Sequence, residues 1–209
     1  MTMGKDDSGK MSEISWVESV KYRLDEVNFG KNIKIVTRCK LPYAQEVIKY
    51  CKVDNELRPS NVNSENSISF ETDFMIYEEI DTIIKPRIVI EAKLSNITTH
   101  DAITYSYKAI QHKSVTPYLR YGIMLGNMKR SPLPGRLFRH GAHFDFMISF
   151  ENYTLIEHEL SAFIELIFKE VRFSQLMEEM LLDSRKSTKK RYFVMQKVLC
   201  LDEMPSNAE

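Results

Sequence analysis

The 209-residue sequence offers no uninterrupted apolar run near the ~20 residues that a membrane-spanning helix requires. Its first residues, Met1 to Ser12, are polar and charged, with no apolar segment behind them to make a leader. A soluble, cytoplasmic protein is therefore expected. Cysteine is scarce: Cys39, Cys51 and Cys200 are odd in number and widely spread, with no CxxC pair and no adjoining histidine to complete a zinc site. Free thiols in a reducing compartment are the simple expectation. An excess of either charge is also missing, because Lys+Arg and Asp+Glu both number 29. No global positive field advertises a polyanionic partner, although a local basic patch remains compatible with neutrality. Internal repeats and low-complexity tracts are lacking as well. At 43% hydrophobic content the chain can bury one good core. One compact domain over 13–209 is expected behind a flexible 1–12 segment.

What is present falls into well-punctuated segments. Ile14, Val17, Val20, Leu24 and Val27 recur at helical spacing, with Ser12 or Ser15 as cap and Gly30 as stop. Ile33 and Ile35 mark a short strand over Asn32 to Arg38, and Pro42 opens a second helical stretch, Tyr43 to Cys51. Asp54 to Asn66 is polar and reads as a loop. From Ser67 to Tyr77, Ile68, Phe70, Thr72, Phe74 and Ile76 alternate with Ser69, Glu71, Asp73 and Met75, the period of a strand. After a connection holding Glu78, Glu79, Asp81 and Pro86, Arg87 to Leu94 forms a second strand. Glu91 and Lys93 point to one side of it and Ala92 to the other. A helix over Thr98 to Lys113, a strand over Tyr121 to Leu125, a basic irregular loop over Asn127 to His143, a strand over Phe144 to Phe150 and a long helix over Leu155 to Asp183 follow. The last stretch, Lys186 to Leu201, starts basic and returns to apolar. The alternation predicts an α/β fold: a central mixed sheet flanked by helices, with a long C-terminal helix.

The chemistry resides in Asp73 and the triplet Glu91-Ala92-Lys93. If the two strands pair antiparallel, both carboxylates converge at one end of the sheet while Lys93 projects beside Glu91. Like charges sharing a site force one to bind a proton unless a cation lies between them. Hard oxygen donors with open coordination positions suit Mg²⁺, with Mn²⁺ able to substitute. Such a cation can lower the pKa of bound water from ~15.7 and stabilise charge on a phosphate. Lys93 would position or deprotonate that water and offset negative charge. The Ala92 carbonyl could supply one further ligand.

These residues resemble the PD-(D/E)xK nuclease superfamily, which includes many type II restriction endonucleases, Holliday-junction resolvases and repair nucleases. The resemblance rests on Thr72-Asp73 in one strand, Ile88-Val89-Ile90-Glu91-Ala92-Lys93 in the next, then the helix and strand that follow. It covers the middle of the chain, and Thr72 stands where members often have proline. It implies a restriction-endonuclease-like fold with its catalytic core over about 67–126 and a C-terminal helical part over about 151–209. It also implies Asp73 and Glu91 as Mg²⁺ ligands and Lys93 as the catalytic lysine. Many members add a carboxylate from the helix preceding the sheet, for which Glu18 and Glu46 are both candidates. Gln111 falls at a glutamine position of some members, without the rest of that pattern. The implied activity is metal-dependent hydrolysis of phosphodiesters in double-stranded DNA, in the role of a type II restriction enzyme acting as a homodimer. A structure-selective repair or recombination nuclease, or a binding or subunit-interaction module that uses no metal, are the alternatives.

Blander roles compete for several other residues. Glu78, Glu79 and Asp81 read as a solvated turn. Lys129, Arg130, Arg136 and Arg139 form either a DNA-phosphate contact or a plain surface loop. His140 and His143, two loop histidines without cysteine or acidic neighbours to complete a metal site, read as surface groups, as does His158 on the long helix. The apolar face from Leu160 to Leu181 reads as core or a dimer seam.

Overall fold

The structure, a computed structural model, describes residues 11–45, 50–53, 56–59, 67–129, 133–183 and 195. In chain order its elements are α1 (Glu13–Asp25), β1 (Ile33–Gln45), β2 (Tyr50–Val53), β3 (Glu56–Pro59), β4 (Ser67–Ile80), β5 (Ile83–Leu94), α2 (Thr99–Val115), β6 (Arg120–Gly126), α3 (Gly135–His140), β7 (Phe146–Ser149) and α4 (Glu157–Asp183). Among the described residues one five-stranded sheet runs in the order β1-β4-β5-β6-β7, and β2 with β3 makes a separate pair. The first three strands of the sheet are an antiparallel meander; β6 and β7 continue it in parallel. The fold is α/β, with helices on both faces of the mixed sheet and a long C-terminal helix. No helix among the described residues is long and apolar enough to cross a membrane.

Local chemistry explains the elements that frame the site. Ser12 caps α1 by accepting the Ser15 N–H at 3.1 Å, and Trp16, Val17, Val20 and Leu24 then bury one helical stripe. Thr98 and Asp101 form a reciprocal capping box that fixes the start of α2 shortly after β5 ends. β4 and β5 meet through a two-residue turn whose first residue, Asp81, takes a left-handed φ of 55°. β5 is the central strand. Ile88, Ile90 and Ala92 face a core built with α1 and α4, while Val89 faces a second core built with α2, β6 and α3.

Four expectations are corrected. No helix starts at Pro42: β1 runs on to Gln45 with Pro42 inside it, beside an irregularity in the pairing. Edge strands tolerate proline because one row of N–H groups has no ladder partner to lose, and β1 is an edge. Tyr50–Val53, expected to end that helix, is a strand instead, and its partner Glu56–Pro59 lies in the stretch expected to be a loop. Glu78 and Glu79 belong to β4 rather than to a solvated turn. Glu78 is held by the buried Arg87 guanidinium, which also reaches Glu178 of α4 at 2.8 Å, and Glu79 pairs with Lys34. A charge removed from water demands such partners. Finally, the basic loop contains the short helix α3, which buries Leu137.

One irregularity in β1 shapes the site. In β1, Ile33 and Ile35 face the α1 side and Val36 the α2 side, yet beyond Arg38 it is Cys39 and Leu41 that face α2. The pairs Thr37↔Phe74 and Cys39↔Thr72 show no slip of register between them. The exchange of faces is made at Arg38, whose φ of 53° is left-handed. β4 changes in step: Phe74 and Ile76 face α1, whereas Phe70 packs its ring edge-on against His112 of α2. Pairing of β4 with β5 stops at Phe74↔Ile90. From there the β1–β4 ribbon leaves the sheet and folds over α2, and β5 continues beside β6 alone.

Candidate active site

The sheet splits at Asp73. Continuing the register one residue past Phe74↔Ile90 sets Asp73 opposite Glu91, at the mouth of the split. The Ala92 N–H, which has lost its β4 backbone partner there, donates instead to Asp73 Oδ2 at 2.8 Å. In a strand the carbonyl of a residue lies on the same side as its N–H, so the Ala92 carbonyl faces the split too.

Glu91 lies deeper, with 1% of its surface exposed. Its Oε1 accepts the Tyr121 hydroxyl at 2.5 Å and lies 3.5 Å from the Lys108 ammonium. Burial pushes the Glu91 carboxyl up to about 7. The Lys108 charge opposes this, the Asp73 charge reinforces it, the Tyr121 hydrogen bond opposes it, and a hydrogen bond shared with Asp73 reinforces it again. The two carboxyl groups thus meet at the split, and the Asp73 charge is one of the causes that keep the Glu91 proton on.

Lys93, two residues along the same face, ends 3.1 Å from Glu13 Oε1 and 5.4 Å from the centre of the Tyr105 ring. Burial works against its charge, but the Tyr105 hydroxyl and the Glu13 carboxylate outweigh burial and hold the ammonium above its ordinary range. Glu13 is itself pushed up by burial, against the pull of Lys93 and of the Leu94 N–H and with a contribution from Asp73. Tyr105 is also raised by burial, to about 12, and so remains a neutral phenol around pH 7.

Of the two upstream glutamates that the sequence nominates, Glu18 accepts the Thr37 hydroxyl at 2.6 Å and lines a cleft with Glu13, Arg38 and Asp73. Glu46 lies outside the described residues, as do Arg130 and Cys200. Glu13, which sequence reasoning passed over, reaches the lysine. Its signal was present: Glu13, Val17, Val20 and Leu24 recur on one face, so this carboxylate continues the buried stripe of α1. Tyr105, Lys108 and Tyr121 were also missed as site residues, although helical spacing from the Thr98 cap sets Tyr105 and Lys108 three residues apart.

Arg136 donates to the Ile97 carbonyl at 2.7 Å, tying α3 to the segment after β5, while Lys129 and Arg139 are exposed. His143 and His158 are exposed and His140 is half-buried.

Among the described residues no three His, Cys, Asp or Glu side chains group closely enough to enclose an ion by themselves. A hard dication of the Mg²⁺ type does not need that, since it keeps several waters and takes one or two carboxylates from the protein. The donor set fits: two carboxylates and the Ala92 carbonyl face the same split, and a cation would replace the proton that burial keeps on Glu91. The chain matches no protein-family model and no curated protein.

Proposed function

We propose that this protein is a divalent-cation-dependent nuclease of the PD-(D/E)xK type that hydrolyses phosphodiester bonds in double-stranded DNA, in the role of a restriction endonuclease. The observation that supports this most is the split of the sheet, where Asp73 stands opposite the buried Glu91 and Lys93 follows two residues further on. The order of elements is consistent with it, since β4, β5, α2 and β6 follow one another as the resemblance requires and β6 runs parallel to β5.

Asp73, Glu91 and the Ala92 carbonyl would hold Mg²⁺, or Mn²⁺ in its place. When bound, the cation polarises the phosphate and lowers the pKa of attacking water. The protein's own groups do the rest. Tyr121 and Lys108 orient Glu91 and favour its ionised form. Lys93, held charged, offsets negative charge building on the phosphate oxygens and donates a hydrogen bond to the attacking water. As an ammonium above its ordinary range it serves as a donor rather than as a base. Glu13 fixes the lysine from α1. Cutting both strands of a symmetric site calls for a second copy of the chain, and DNA as substrate calls for action inside the cell.

The test is cleavage of plasmid and phage DNA with Mg²⁺, Mn²⁺ or EDTA, using wild type, Asp73→Asn and Lys93→Ala, each first shown to be folded. Discrete fragments that need metal and vanish in both variants are the expected result. DNA left whole throughout, or gel shifts indifferent to metal, would return the fold to a binding role.

A further inference from the structure

The mouth of the split poses an electrostatic difficulty for any polyanion. Glu13, Glu18 and Asp73 line it, and three carboxylates repel a phosphate. Lys93 offsets Glu13, and Arg38 is the cation that lines the cleft itself. It stands opposite Asp73 in the β1–β4 register, between Thr37↔Phe74 and Cys39↔Thr72.

Its backbone makes the choice of residue informative. The exchange of faces in β1 requires φ of 53° at this position, a conformation glycine adopts without strain and arginine does not. Asp81 has a comparable φ in a hairpin turn, and Ser95 and Asn127 have theirs just past the ends of β5 and β6. Arg38 alone among the described positive-φ residues lies inside a paired strand. Where a glycine would be easier, an arginine stands beside the carboxylates. Nor does an internal role account for it: its Nε lies 3.4 Å from Glu71 Oε1, with the two side chains 58% and 50% exposed. A surface pair of that geometry contributes little and releases easily.

Resting on the nuclease reading above, we propose that Arg38 binds a backbone phosphate of the DNA at the mouth of the split, its fork exchanging Glu71 for phosphate oxygens. A guanidinium suits this, being always charged and able to grip two oxygens at once. The left-handed residue thus turns the strand at the rim of the cleft that the carboxylates line.

The experiment uses the full chain as wild type, Arg38→Ala and Arg38→Gly. Plasmid cleavage is measured with Mg²⁺, duplex binding with Ca²⁺ in place of Mg²⁺ across a salt series, and unfolding by heat. Glycine relieves the backbone, so Arg38→Gly should melt at or above wild type, which guards against loss through misfolding. Cleavage should fall about ten- to a hundredfold in both variants. The slope of log affinity against log salt should shrink by ~0.9, the share of one phosphate. Wild-type cleavage and an unchanged slope in both variants would overturn the role of Arg38 and leave the nuclease reading standing. A duplex bound but never cut, with the slope still reduced in the variants, would keep the phosphate contact and remove the nuclease. A wild type that neither binds nor cuts would end both.

Discussion

Replacing Glu91 by glutamine should stabilise the cation-free protein, and only on the alkaline side. The folded protein holds the Glu91 proton to about pH 7, whereas an unfolded chain releases it near 4.5. Between those values the folded state binds more protons than the unfolded one, so stability falls as pH rises through this window and stays lower above it. A rise from 4.5 to about 7 corresponds to about 3 kcal/mol, present in full above pH 7 and absent below pH 4.5. Glutamine mimics the protonated acid. Its carbonyl still accepts the Tyr121 hydroxyl and its amide can donate to Asp73. For a chain of this length ~3 kcal/mol is about 6–12 °C in Tm. Melting curves of both proteins in EDTA at several pH values should therefore diverge from near coincidence at pH 4.5 to that gap at pH 8. Saturating Mg²⁺ should narrow the gap at pH 8 by stabilising wild type alone. Equal melting temperatures at pH 8, or a less stable Glu91→Gln, would refute the strained carboxylate pair.

Other perturbations test the surrounding groups. Apparent Mg²⁺ affinity should rise about tenfold per pH unit below about 7 and then level off, with about one proton released per ion, as calorimetry in buffers of different ionisation enthalpy would show. Tyr121→Phe removes a hydrogen bond that lowers the Glu91 carboxyl, so the rising limb of the pH–rate profile should move to higher pH. Lys93→Ala should leave the fold intact and reduce the single-turnover rate about a hundred- to a thousandfold, while Glu13→Gln should cost less because Tyr105 still holds the lysine. Gly126→Ala should lower Tm and activity together: a Cβ there would stand 2.4 Å from the Trp16 ring, which seats the first turns of α1 on the sheet and with them Glu13.

The sequence made the middle of this fold legible because its signals there are local. Period-two alternation around Asp73, the apolar run before Glu91 and the Thr98 cap each depend on neighbours in the chain, and each element formed where expected. The first part of the sheet was read less well. Pro42 is a helix opener by local rules, and only its position on an edge, set by β4 far along the chain, makes it acceptable in a strand. Glu78 has the same history, since its partners Arg87 and Glu178 come from other elements. Glu13 could have been found by extending the buried stripe of α1 one turn toward its cap. Arg38 could not, because nothing in an arginine announces a left-handed backbone.

The hydrogen bond from the Ala92 N–H to Asp73 means that one side chain closes a seam in the protein and also presents its acid. Cutting it back to alanine would unstitch that seam, so an inactive Asp73→Ala protein would say as much about tailoring as about chemistry. Asparagine keeps the stitch and removes the charge. Evolution would face the same constraint: whatever the protein does, an acceptor at this position has a structural reason to persist, so an aspartate here is by itself no proof of chemistry.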